Sequence, residues 1–147
     1  MRILVDTNVF LDFLLNRENA NDAIAFFNYC AKLKNQIYVS TISLRDIGYV
    51  THHFYHDADK AKKAQLSVYG LCSKIIDITA DDAINSLYSD MSDFEDSLQL
   101  EAADRSMLDL IVTNNIKDYA GQGFPALTVK QINEIFDKTL SYKPTQN

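Results

Sequence analysis

Ile3-Leu4-Val5-Asp6-Thr7-Asn8-Val9-Phe10-Leu11-Asp12 is the stretch whose reading decides the fold. Ile3-Leu4-Val5 is a run of branched aliphatic residues without polar alternation, which reads as a short strand buried on both faces. A carboxylate has no place inside such a strand, because burying an unpaired charge is strongly unfavourable. Asp6 therefore marks the strand's end. Asn8 then caps a helix whose apolar stripe is Val9, Phe10, Phe13 and Leu14. An acid between strand and helix in an α/β protein lies at the carboxyl edge of the sheet, where ligands bind. The same residue serves equally as a turn or capping group, and this stretch alone does not separate the two.

Working outward, the chain of 147 residues is 47% hydrophobic and 23% charged, enough apolar content for one core. The expectation is a single domain over residues 1–140 with a polar tail over 141–147. With 4 Gly and 2 Pro, loops should be short and helix content high. No apolar run reaches membrane-span length and the N-terminus lacks a signal-peptide pattern. Cys30 and Cys72 lie far apart in helical patterns and read as reduced core residues, so a cytoplasmic protein is expected. A net charge of −6 argues against simple electrostatic capture of nucleic acid.

Strand and helix patterns alternate along the chain. Helical spacing runs over 19–35, Ile37–Ser40 follows as a second strand, and Thr41 or Ser43 is placed to cap a third helix. Asp57 opens a fourth helix that ends near Lys74, and Ile75–Ile78 is the third strand. Thr79 and Asp82 have capping-box spacing, as do Ser92 and Glu95, opening helices through Leu87 and Met107. Leu110–Thr113 and Ala126–Val129 complete five strands, with a last helix over 130–140. Such alternation predicts an α/β fold: a three-layer α/β/α sandwich around a mostly parallel, about five-stranded sheet.

Residues that follow parallel strands share one sheet edge. Asp6 follows the first strand, Asp46 lies one turn into the helix after the second, and Thr113, Asn114 and Asn115 follow the fourth. Asp93 and Asp96 stand three apart at the start of the helix leading into that strand, on one face. Taken alone, that pair is a helix cap. Several carboxylates converging at one edge repel and raise one another's pKa unless a cation lies between them. Oxygen donors without His or Cys suit Mg²⁺ or Mn²⁺, and a hard cation with open positions suits phosphodiester chemistry.

At these motifs the sequence resembles the PIN-domain ribonucleases, the family that includes the VapC-type toxins of toxin–antitoxin pairs. Asp6-Thr7-Asn8 matches the family's opening motif, and Asp46 stands where the second acid is most often Glu. Asp93-Phe94-Glu95-Asp96-Ser97-Leu98-Gln99 resembles the third motif, with Asp96 as its acid. Val112-Thr113-Asn114-Asn115-Ile116-Lys117-Asp118-Tyr119 resembles the closing motif, where Asn115 stands in place of a fourth acid. The resemblance implies a metal-dependent endoribonuclease that hydrolyses RNA. Asp6, Asp46 and Asp96 would be its catalytic metal ligands, and Asp93 would lie beside them. Asn8 and Thr113 would orient carboxylates, with Asn115 and Asp118 around them. It also implies a small antitoxin partner, a homodimer and no membrane. Arg45, Lys60, Lys62, Lys63 and Lys117 would supply local positive charge.

Other features have bland readings that outweigh sharp ones. His52 and His56 have zinc-pair spacing on a helix, but no third ligand is evident and a solvated helix end is the better reading. Tyr49 and Tyr55 read as partly buried rather than as base-stacking rings. A phospho-acceptor domain would want its acid at the end of the third strand, whereas Asp77 lies inside it. An aspartyl phosphatase would want an acid where Asn8 stands. The stronger rival is a non-catalytic PIN-like module with a degenerate metal site.

Overall fold

The structure, a computed structural model, describes residues 1–142. Its five strands are β1 (Arg2–Val5), β2 (Gln36–Ser40), β3 (Lys74–Ile76), β4 (Leu110–Val112) and β5 (Ala126–Leu127). All pair in parallel, in the order β3-β2-β1-β4-β5. Seven helices connect them: α1 (Thr7–Leu14), α2 (Ala20–Lys32), α3 (Thr41–Tyr55), α4 (Ala58–Leu71), α5 (Ala80–Leu87), α6 (Phe94–Arg105) and α7 (Val129–Ser141).

Alternate residues of each central strand serve opposite layers, as the two-residue period of a strand requires. Ile3 and Val5, Ile37 and Val39, and Leu110 and Val112 face one core with α1, α2, α3, α4 and α7. Phe10, Phe26, Phe27 and Phe136 fill it, with Phe10 and Phe27 stacked at 5.6 Å. Leu4 and Ile111 face the other way, toward Ala102 and Ala103 of α6 and Tyr119. The two small alanines let α6 lie close on the sheet, and α5 packs on α6. Three layers result, with unequal covers.

The order 3-2-1-4-5 reverses direction between β1 and β4, which opens a crevice at their carboxyl ends. Val5 is in register with Val112, so Asp6 and Thr113 emerge side by side there. The Asp6 amide donates to Val112 O at 3.0 Å, and the Thr113 amide to Leu127 O at 3.0 Å.

Boundaries differ from expectation where two capping groups compete. Helix α1 starts at Thr7 with Asp6 as its N-cap, not Asn8, which is exposed. Ser40 caps α3, accepting from the Ser43 amide at 3.1 Å, in place of Thr41 or Ser43. Asp93 rather than Ser92 caps α6, because its carboxylate accepts from the Asp96 amide at 2.9 Å. Thr79 and Asp82 form the expected capping box. Helix α4 ends at Leu71, and Lys74 already belongs to β3. A 3₁₀ turn over Ile116–Tyr119, which periodicity did not suggest, follows β4. Ser141 is the last residue of α7 rather than the start of the polar tail, and residues 143–147 of that tail lie outside the described residues.

Candidate active site

Asp6 leaves β1 as the first residue off the sheet and is 6% exposed. Its carboxylate accepts a hydrogen bond from Thr113 Oγ1 at 3.0 Å, a bond that spans the crevice between β1 and β4. The Asn115 amide donates to the same Thr113 oxygen at 3.0 Å, so the threonine is held in place. Burial raises the Asp6 carboxyl, against the lowering effect of Thr113, and Asp93 and Asp12 push the same way as burial.

Asp96, 8% exposed on the first turn of α6, faces Asp6 across the crevice. Tyr119 Oη donates to its Oδ1 at 3.1 Å. Burial first, then the charges of Asp6 and Asp93, lift the Asp96 carboxyl to about 7, with Asp118 hydrogen-bonding from the other side. Asn115 Nδ2 in turn donates to Asp118 Oδ2. Asn115 thus tethers Asp118 beside Asp96.

Asp46 and Glu95 make up the outer half of the site. Both line an open cleft of about 410 Å³ whose wall also includes Asn8, Arg45 and Tyr49. Burial and the charge of Asp46, with which it hydrogen-bonds, lift the Glu95 carboxyl to about 7, and Asp6 and Asp93 add to the rise. Arg45 Nη1 lies 2.9 Å from Asp46 Oδ1. Asp6, Asp93 and Asp96 do not line this cleft.

Beneath the acids a buried hydroxyl network ties their helices together. Thr7 Oγ1 on α1 donates to Ser43 Oγ on α3 at 2.8 Å, and Gln99 Nε2 on α6 donates to the same oxygen at 2.7 Å. Ser40 Oγ lies 3.2 Å away. Asp6, Asp46 and Asp96 precede or ride on these three helices, which Ser43 links to one another.

The sequence-derived residues therefore divide. Asp6, Asp93, Asp96, Thr113, Asn115 and Asp118 gather at the crevice, and Asp46 lies on the adjoining cleft wall, joined to them through Glu95, which feels the charges of Asp46, Asp6 and Asp93. Asn8 stands on the rim, and no hydrogen bond among the described residues runs from it to a carboxylate. Glu95, Tyr119 and the Ser43 network were not singled out beforehand. Glu95 lies off the Asp93–Asp96 face by helical spacing, yet its longer side chain reaches Asp46. The buried Asp12, held by Asn114 Nδ2 at 2.9 Å, was also overlooked. Tyr49 is 69% exposed, contrary to its expected partial burial, because the inner face of α3 belongs to Ser43, Ile47 and Thr51.

An all-oxygen donor set, two of whose carboxyls are driven to about 7, fits a hard divalent cation that would relieve the repulsion. Among the described residues no group of three or more His, Cys, Asp or Glu is arranged to hold a metal ion as it stands. The His52–His56 pair lies at the end of α3, where His56 is its left-handed C-cap.

The sequence matches the family model described as PIN domain over residues 2–117. The chain belongs to the PIN domain family. Among solved structures, this PIN domain is similar to VapBC2 from Rickettsia felis bound to a promoter DNA fragment. That match has TM-score 0.65 and 18% identity, and covers 87% of this chain and 98% of that one. FitAB bound to a DNA fragment matches with TM-score 0.66 at 13% identity over 86% and 94% of the two chains. VapC20 from Mycobacterium tuberculosis, a Sarcin-Ricin loop cleaving toxin, matches with TM-score 0.63 at 14% identity over 83% and 95%. At these identities the likeness is one of fold. No curated protein matches the sequence. Among the described residues no helix is long and apolar enough to cross a membrane.

Proposed function

We propose that this PIN domain is a metal-dependent endoribonuclease and the toxin of a toxin–antitoxin pair. The observation that carries the reading is the gathering of Asp6, Asp93 and Asp96 at the sheet's switch point, with Glu95 and Asp46 at the adjoining cleft. Carboxyls lifted to about 7, Asp96 in the crevice and Glu95 at the adjoining cleft, are costly to folding and characteristic of a site. Asp6, Asp46, Asp93 and Asp96 would hold Mg²⁺ or Mn²⁺, with Asp118 as an additional oxygen. Such a cation, when bound, neutralises charge on a phosphate and makes water a better nucleophile.

The chain's own residues do the rest. Thr113 and Tyr119 hold the Asp6 and Asp96 carboxylates in place from behind. Glu95, exposed at the cleft beside Asp46, accepts a proton from the attacking water. Water oxygen bonds to phosphorus as the bond to the leaving ribose oxygen breaks, and the ribose alkoxide takes its proton from the solvent that fills the open cleft. Arg45 at the cleft offers a fork of donors to a neighbouring phosphate. RNA as substrate is supported by the cleaving activity stated for VapC20, and an antitoxin partner by the VapBC complexes. A homodimer in the cytoplasm completes the proposal.

Asp6→Asn tests it: RNA cleavage should be lost while the thermal melt stays cooperative. Cleavage at the unsubstituted rate would remove Asp6 from the mechanism. Asn115 and the lack of a ready three-ligand group favour the second reading, a non-catalytic PIN module. A melting curve that ignores millimolar Mn²⁺ would support that module.

A further inference from the structure

Residues 45, 49 and 53 follow one another at four-residue spacing, so they lie on one stripe of α3, and His56 lies three further on. The stripe begins at the acid cleft, whose wall includes Arg45 and Tyr49. From there it runs outward along solvent. Tyr49 and His53 lie with ring centroids 6.5 Å apart and planes 14° from parallel. His53 and His56 follow at 6.0 Å, tilted by 56°. All four side chains are exposed, and no aliphatic residue stands on the stripe. The rings therefore stand unspent by the fold.

We propose that Tyr49 and His53, with Arg45 at the cleft end, form a stacking subsite for unpaired bases of single-stranded RNA on its way to the acids. This rests on the ribonuclease reading of the cleft and adds the side chains that would hold the incoming bases. Aromatic faces take any base by stacking, but only where the base is not already sandwiched in a duplex. A chain of net charge −6 cannot hold a polyanion by charge alone, so stacking has to supply much of the affinity. Arg45 supplies the local cation. Its side chain is mostly exposed and, among the described residues, paired only with Asp46, and it can turn to a phosphate as the strand enters. The outer stripe, aromatic and polar, offers base faces rather than the aliphatic core that a protein partner would bury.

The chain contains no tryptophan, so Tyr49→Trp creates a unique reporter at the subsite. In an Asp6→Asn background, which should leave the RNA intact, titration with a mixed-sequence single-stranded RNA should quench that fluorescence saturably. The same strand annealed to its complement should not. In the cleaving protein, Tyr49→Ala should raise KM by about fivefold to a hundredfold, the range for losing one stacked base, with kcat little changed. Tyr49→Phe keeps the ring and should restore KM. Equal quenching by duplex, or no quenching, overturns the subsite. So does an emission shift with protein concentration alone, which would make the stripe a contact between copies. Cleavage with KM unmoved by Tyr49→Ala removes the subsite and leaves the nuclease. Saturable quenching by single strands without cleavage by the unsubstituted protein keeps the subsite and removes the hydrolytic reading.

Discussion

Replacing Asp96 by Asn should stabilise the metal-free protein, and by an amount that depends on pH. The carboxyl ordinarily titrates at 3.8 and is lifted to about 7 here, by burial and then by Asp6 and Asp93. The native state thus holds this proton more tightly than the unfolded chain does. Its contribution to stability is complete below about pH 4 and is lost as the pH rises through about 7. At roughly 1.4 kcal/mol per tenfold difference in proton affinity, full ionisation costs up to about 4 kcal/mol. About half of that survives the screening expected at a crevice that opens to water. Asparagine keeps the shape, stays neutral, and can accept from Tyr119 Oη through Oδ1 and donate to Asp118 through Nδ2. Asp96→Asn should therefore gain about 2 kcal/mol near pH 8 in chelator, some 4–8 °C in Tm for a chain of this size. Below about pH 4 the two proteins should melt together. The assay is a set of thermal melts of both proteins across that range, with and without Mn²⁺. The substitution should also shrink the stabilisation by Mn²⁺, because one ligand is gone. Parallel pH profiles, or an Asp96→Asn protein that melts lower near pH 8, would refute the view that Asp96 is strained by its neighbours.

Three further outcomes are expected. Ser43→Ala strips the acceptor from Thr7 Oγ1 and Gln99 Nε2 together, so it should cost about 2–4 kcal/mol in chemical denaturation and slow cleavage by loosening the acid-bearing helices. Asp82 is buried, which alone would raise its carboxyl, but Arg105 and Thr79 hold it below its ordinary value. Arg105 makes a bidentate pair with it at 2.9 and 2.8 Å and also donates to Asp77 O, so Arg105→Ala should cost about 1–3 kcal/mol at neutral pH, read from the urea midpoint. That penalty should fade as the pH drops through the carboxylate range and Asp82 takes a proton. Asn115→Asp would set a second carboxylate against Asp118, lowering Tm without metal and tightening Mn²⁺ binding in calorimetry. An unchanged Mn²⁺ affinity would mean that Asp118 already supplies that oxygen.

Much of the scaffold was legible because its causes are local. A branched aliphatic run ending in Asp6 has one sensible reading, since the carboxylate cannot stay between two covered faces. Thr79 with Asp82 announces a helix start through groups three residues apart. Where neighbours are equally able to cap, as Ser92 and Asp93 are, local chemistry alone places the boundary only to within a residue. The resemblance at Asp6, Asp96 and Asn115 pointed to the crevice, and the hydrogen bonds there run between segments those motifs mark.

What the sequence by itself determined was the alternation of strands and helices and the acids that follow strand ends, because periodicity and capping act within a few residues. Only the tertiary structure decided the strand order that brings Asp6 beside Thr113, a contact 107 residues apart in the chain. It alone joined Thr7, Ser43 and Gln99 into one network, set Tyr119 behind Asp96, and paired Glu95 with Asp46. It also left Tyr49 in solvent, since which face of α3 is buried depends on what packs against it. Partners of this kind are chosen by packing across the fold, and no local spacing encodes them.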